Sequence, residues 1–236
     1  MRIVIDKVIP FVEGVFEPYA EVLYLDSRQI TRYAIMDADA LIIRTRTRCD
    51  ESLLEGTLVK IIATASIGTH HIDFDYCSKH GIFVCNAAGC NSGAVMNYVF
   101  SALYGTAARR SINLDGYVIG LLGAGDSGSR IAQMAHFLGF KVLKCDPPRA
   151  QNEGMEGYCS IETLLEESDV ISMHLPLHRD SYRIADTEFF ARMRPGAFFI
   201  NASAGDLVDE DALLCAMHRL GPVIIDTWCN EPYINR

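Results

Sequence analysis

Short apolar runs alternate with amphipathic stretches along most of the chain, and the two periodicities separate strands from helices. RIVID (2–6), EVLYL (21–25), ALIIRT (40–45), VKIIATAS (59–66) and IFVCNA (82–87) are nearly continuous in apolar residues. Between them, DESLLEG (50–56) and DFDYCSKHG (73–81) have helical spacing and close on glycine. Continuous apolar strands joined through helices predict parallel pairing with both sheet faces covered. A longer helix is expected over 92–110, where Val95, Val99, Ala102 and Leu103 fall near the 3.6-residue period. The alternation then restarts with YVIGLLG (117–123), KVLKCD (141–146), VISMHLP (170–176), AFFINAS (197–203) and VIIDTW (223–228). Two such series predict an α/β protein of two doubly wound, parallel-sheet, Rossmann-like domains with a cleft between them. The division is expected in or beside the long helix, giving domains 1–95 and 96–236.

The second series carries a nucleotide-binding pattern. Gly123, Gly125 and Gly128 stand in GxGxxG spacing, after a strand and before a helix with apolar Ile131, Met134, Ala135 and Leu138, and the next strand finishes at Asp146. Glycines clustered in a turn mean little alone. In this context they predict a dinucleotide site, with the pyrophosphate at the helix N-terminus and the acid on the ribose hydroxyls. Gly123, Gly125, Asp126, Ser127 and Gly128 are therefore expected as cofactor contacts. Asp146 favours NAD, because a carboxylate repels the extra phosphate of NADP; Arg149, three residues on, keeps NADP open.

Charge changes the picture locally. Net charge is -9 and the isoelectric point about 5.2, which argues against a nucleic-acid or anionic-membrane partner. Yet LIIRTRTRC (41–49) places Arg44, Arg46 and Arg48 at alternate positions where a strand end meets a loop. Guanidinium groups grip carboxylate or phosphate at two points, and period-two spacing puts all three on one face if the segment stays extended. No apolar run is long enough for a membrane span and the N-terminus lacks signal-peptide zones, so a cytoplasmic location is expected. The eight cysteines are scattered without zinc spacing and are expected as buried thiols; no metal site is expected, the adjacent His70 and His71 included.

The motifs LIIRTRT (41–47), ATASIGTHHID (63–73), NAAGCNSGAV (86–95), GLLGAGDSGSRIA (120–132), CDPPRA (145–150), HLPL (174–177), INASAGDLVDEDAL (200–213) and DTWCNEP (226–232) run in one order. In that order the chain resembles the D-isomer-specific 2-hydroxyacid dehydrogenases, with CDPPRA and AAGCN leaning toward the erythronate-4-phosphate branch of pyridoxal phosphate synthesis. The resemblance implies a first domain that contacts substrate and a second that holds NAD. It implies Arg44, Thr45, Arg46 and Ser66 as contacts to a small acid phosphate. Asp146, Ala202, Ser203, Ala204 and Asp226 would be cofactor contacts, and Glu231 a catalytic carboxylate that raises the basicity of a histidine. It leaves a homodimer open.

The chain also departs from the family. Asn201, Ala202, Ser203, Ala204 and Gly205 match the NxxRG segment, with Ala204 where the family has its catalytic arginine. The sequence stops at Arg236, ahead of the segment that brings the family histidine; His174 is read as architectural. Leu175 and Asn97 also replace customary residues. These departures lead to an expectation of impaired turnover with retained nucleotide binding. The alternatives are a non-catalytic dinucleotide-binding protein and a phosphoglycerate dehydrogenase-like enzyme.

Overall fold

In a computed structural model that describes residues 1–229 and 231, the chain divides into two compact units, Met1–Cys90 and Asn91–Arg236. The sequence placed the division at 95/96; here the whole long helix goes with the second unit, from its Asn91 N-cap onward.

The first unit holds β1 (Arg2–Asp6), β2 (Glu21–Leu25), β3 (Ala40–Ile43), β4 (Ile61–Thr64) and β5 (Phe83–Asn86), with α1 (Glu51–Leu54) and α2 (Phe74–Lys79) among the connections. The sheet is parallel with order β2-β1-β3-β4-β5. Its strands read as unbroken apolar runs because alternate residues serve opposite faces. Val4, Leu41, Ile43 and Ile62 enter one core, while Ile3, Ile5 and Ala40 enter the other.

The second unit begins with α3 (Ser92–Arg109), then β6 (Val118–Leu122), α4 (Asp126–Phe137), β7 (Lys141–Cys145), α5 (Pro147–Glu153) and α6 (Ile161–Glu167). It continues with β8 (Val170–Met173), α7 (Thr187–Arg192), β9 (Phe198–Asn201), α8 (Glu210–Ala216) and β10 (Val223–Ile225). Its parallel sheet has the order β10-β9-β8-β6-β7. Phe198 and Ile200 face one core and Phe199 the other, so β9 is buried at all four positions. On α3 the periodic residues Val99 and Leu103 are fully buried, joined by Phe100 and Ala107.

Counted from its own first strand, each sheet has the order 2-1-3-4-5. Connections leave the first strand toward one side and the third toward the other, so a crevice opens at the carboxyl ends of that central pair. The pair is β1 and β3 in the first unit, β6 and β8 in the second. Both sheets thus nominate the loop that follows them: Arg44 follows β3, Gly123 follows β6 and His174 follows β8.

Three cysteine expectations fail. Cys49, Cys77 and Cys145 are buried, but Cys85, Cys90 and Cys215 are exposed, Cys85 because it lies on the edge strand β5, whose Phe83 is also exposed.

Candidate functional site

The glycine loop of the second unit is tightly built. Gly123 has φ +95°, a left-handed conformation, and a Cβ there would meet the His174 carbonyl oxygen at 2.4 Å. A Cβ on Gly128 would lie 2.0 Å from the Gly123 carbonyl oxygen. Gly125 differs: its φ is -64°, and a Cβ would meet nothing within 4 Å. Two glycines therefore close the turn, and the third keeps the space in front of α4 open.

That space faces unsatisfied donors. Helices α1, α2 and α5 to α8 each have an Asp or Ser side chain accepting from a first-turn amide; α3 and α4 have no side-chain cap, and α4 starts at Gly125 with open space before it. Its first-turn amides and the positive end of its dipole are left for an anion. Asp126 and Gly125 are exposed and Ser127 half-buried at this end.

Asp146, at the end of β7, braces the same loop. Its Oδ2 accepts from the Ala124 amide at 2.8 Å and its Oδ1 from the Arg149 amide at 3.1 Å. A carboxylate has about four acceptor directions, so two remain for ribose hydroxyls. The neighbouring loops are tied to one another: the His174 amide donates to the Leu122 carbonyl at 2.7 Å, Ser203 Oγ to the Met173 carbonyl at 2.9 Å, and the Asp226 amide to the Asn201 carbonyl at 3.0 Å. Ala202, Ser203 and Ala204 are half-buried and Asp226 exposed. The structure thus brings Gly123 to Gly128, Asp146, residues 202–204 and Asp226 to the carboxyl ends of the strands of one parallel sheet. An open, uncapped amide cluster with an acid beside it fits a dinucleotide pyrophosphate and ribose.

His174 sits among these loops with Nε2 on Ser172 Oγ at 2.8 Å. Burial pushes its pKa down to about 4, so near neutral pH it is an uncharged imidazole. Ala204 has no polar side chain to offer; its carbonyl accepts from Asn201 Nδ2 at 3.1 Å. Farther along, Glu231 accepts from the Trp228 amide at 2.9 Å.

In the first unit the arginine segment departs from expectation. The strand stops at Ile43, and the Thr47 amide bonds to the Arg44 carbonyl at 3.1 Å, closing a turn. Arg44, Thr45, Arg46 and Arg48 are all exposed while Thr47 and Cys49 are buried, and with a turn over 45–47 the extended segment on which alternate spacing would align the three guanidiniums is absent. The strand ends because pairing ends: Ile43 is opposite Thr64, the last residue of β4. Arg48 pairs with Asp50 at 2.7 Å. Among the described residues, Arg44 and Arg46 have no carboxylate within 4.0 Å, which leaves both available to an anion.

One group was missed in the sequence. Ser66 Oγ donates to the Gly68 carbonyl at 2.9 Å, so the 2.6 Å contact between Ser66 and Thr64 hydroxyls must use the Thr64 proton. Thr64 then accepts from His71 Nε2 at 3.1 Å, and His71 Nδ1, buried without a partner, is the bare lone pair of the neutral ring. Burial first, and His70 second, depress the His71 pKa. The only sequence signal was Thr64 and Ser66 at strand-end spacing; the pairing with His71 depends on the loop's return.

Among the described residues no cluster of His, Cys, Asp and Glu could hold a metal ion, and no helix is long and apolar enough to cross a membrane.

Comparison with known proteins agrees with this geometry. Residues 97–236 match the family described as D-isomer specific 2-hydroxyacid dehydrogenase, NAD binding domain. The whole chain is 41% identical to an erythronate-4-phosphate dehydrogenase of Bacteroides fragilis, covering 70% of that protein. It is 40% identical to one of Pseudomonas entomophila, of which it spans 63%. Among solved structures it is similar to the NAD+-bound 3-phosphoglycerate dehydrogenase of Entamoeba histolytica, with 28% identity, a TM-score of 0.77, and coverage of 96% of this chain and 80% of that one.

Proposed function

We propose that this chain, which belongs to the D-isomer specific 2-hydroxyacid dehydrogenase family, oxidises 4-phospho-D-erythronate or a closely related 2-hydroxy acid phosphate with NAD. The observation that carries the cofactor half is the uncapped, unobstructed amide end of α4 at Gly125, with Asp146 fixed beside it. The identity to erythronate-4-phosphate dehydrogenases supports the substrate half and with it a role in pyridoxal phosphate synthesis.

When bound, NAD supplies the acceptor for the hydride that leaves substrate C2. The chain's own residues bind and orient cofactor and substrate. First-turn amides of α4 and the backbone from Gly123 to Gly128 hold the pyrophosphate, and Asp146 accepts from the ribose hydroxyls. Residues 202–204 and Asp226 are cofactor contacts at the same carboxyl end of the sheet. Arg44 and Arg46 take the carboxylate and phosphate of the acid, with Thr45 and Ser66 as polar contacts. As C2 loses hydride, the hydroxyl proton passes to a base and a 2-oxo acid forms. Glu231 is the carboxylate proposed to raise that base's proton affinity.

Ala204 favours a second reading, a dinucleotide-binding protein with little turnover. A cation beside the reacting carbonyl is worth on the order of hundredfold to thousandfold in rate, and an alanine there supplies none.

Calorimetric titration with NAD and NADP, followed by turnover with 4-phosphoerythronate and 3-phosphoglycerate, tests both readings. NAD binding with faster oxidation of 4-phosphoerythronate supports the enzyme; NAD binding with no turnover supports the second reading. No binding in millimolar NAD removes both. The same reading takes the protein to be cytoplasmic, and sedimentation decides between monomer and homodimer.

A further inference from the structure

Arg149 is the guanidinium attached to the glycine loop beside Asp146, and it is already engaged. Its Nε lies 2.7 Å from Glu153 Oε1, one helical turn on. One terminal nitrogen bonds to the Ala124 carbonyl and lies 3.3 Å from Ser129 Oγ. Glu153 is itself fixed, since Tyr158 Oη donates to its other oxygen at 2.8 Å. The Tyr158 ring in turn lies under Lys144 Nζ, 4.6 Å from the centroid.

We propose that Glu153 is a specificity-determining residue, which discriminates against NADP by holding the Arg149 guanidinium away from the 2′-phosphate. The proposal rests on the dinucleotide reading of the loop. A phosphate is gripped best by two parallel N–H groups from one edge of the guanidinium. Glu153 takes a donor from the Nε edge and the Ala124 carbonyl takes one of the terminal donors, so neither edge offers an unshared pair. Asp146 repels a 2′-phosphate directly, and Glu153 removes the cation that would offset that repulsion. The sequence Asp146-Pro-Pro-Arg149 leaves both cofactors open; the carboxylate four residues later and the tyrosine at 158 tip the balance to NAD.

The hydrogen-bonded chain also explains how an exposed i,i+4 pair can matter. Such a pair alone is weak, but here both ends are tied, one to the loop backbone and the other to Tyr158.

The test is NAD and NADP affinity by calorimetry for the unsubstituted protein, Glu153→Gln, and Arg149→Gln/Glu153→Gln. Glu153→Gln should tighten NADP binding roughly three- to fivefold and leave NAD within about twofold. The double substitution should abolish the gain, because the freed guanidinium is its source. Unchanged NADP affinity in Glu153→Gln overturns the proposal. So does a gain that persists in the double variant, which would mean simple repulsion by Glu153. Absence of NAD binding in the unsubstituted protein would instead refute the cofactor reading beneath it.

Discussion

A side-chain carbon on Gly128 would lie 2.0 Å from the carbonyl oxygen of Gly123, so the first turn of α4 is folded directly onto the end of β6. Gly125, three residues before Gly128, has open space at the same position. The pair separates a steric need of the chain from a need of its ligand. Gly128→Ala is expected to destabilise the fold by a few kcal/mol, on the order of an overpacked core, read by urea unfolding. Gly125→Ala should unfold within about 0.5 kcal/mol of the parent yet lose NAD affinity, because the new methyl enters the space before the amides. Unchanged NAD affinity in a folded Gly125→Ala protein would place the pyrophosphate elsewhere.

Arg44 and Arg46 are exposed and have no ion pair among the described residues, so neither is needed for the fold. Arg44→Ala and Arg46→Ala should each leave unfolding within about 0.5 kcal/mol of the parent. Each should weaken binding of the acid phosphate roughly ten- to hundredfold, the value of a charge-assisted bond. Titration of the substrate in the presence of NADH checks this without requiring turnover. If both variants bind it like the parent, the anion is held by other residues.

His174 makes stability depend on acid. Its folded pKa is about 4 against an ordinary value of 6.5, so the unfolded chain takes up a proton first as pH falls. Stability from this group is complete above about pH 6.5, declines as pH drops toward 4 and is exhausted below that; its upper bound is about 3 kcal/mol. The depressed pKa of His71 acts in the same direction. His174→Gln should flatten the fall in unfolding free energy between pH 6.5 and 4, whatever its effect at pH 7. An unaltered slope would mean that His174 is not buried as a neutral ring.

Ala204 stands half-buried beyond the end of β9 with its carbonyl bonded to Asn201. Ala204→Arg should raise kcat/KM for 4-phosphoerythronate by on the order of hundredfold, with NAD affinity little changed. An unaltered rate would show that the missing cation is not what limits this chain.

Much of the architecture was legible because it follows from local patterns. The runs at 118–122 and 198–201 are apolar at nearly every position, which requires two covered faces, and the structure buries β9 throughout. The GxGxxG spacing before a periodic helix located the loop, and Asp146 was placed by the end of the next strand. The shared arginine face was conditional on an extended chain, and that condition is not met. Alternation predicts one face only for an extended chain, and β3 ends at Ile43 because β4 ends opposite it, a limit set by another strand. The His71 link was missed because its partner Thr64 lies seven residues back across a loop.

The amino-acid order by itself determined two series of parallel strands, a turn fit for phosphate and a local concentration of positive charge in an acidic chain. These depend on periodicity, backbone freedom and side-chain chemistry, all properties of neighbours in sequence. Only the tertiary structure decided which glycines are closed by contact and which remains open, that Arg149 is tied to Glu153 and the loop, and where the arginine strand turns. Those outcomes depend on how the backbone is folded in space, through partners as near as Gly123 and Gly128 and as distant as Ala124 and Arg149 or Ile43 and Thr64, so that a contact of 2.0 Å and an empty space can arise from the same residue type.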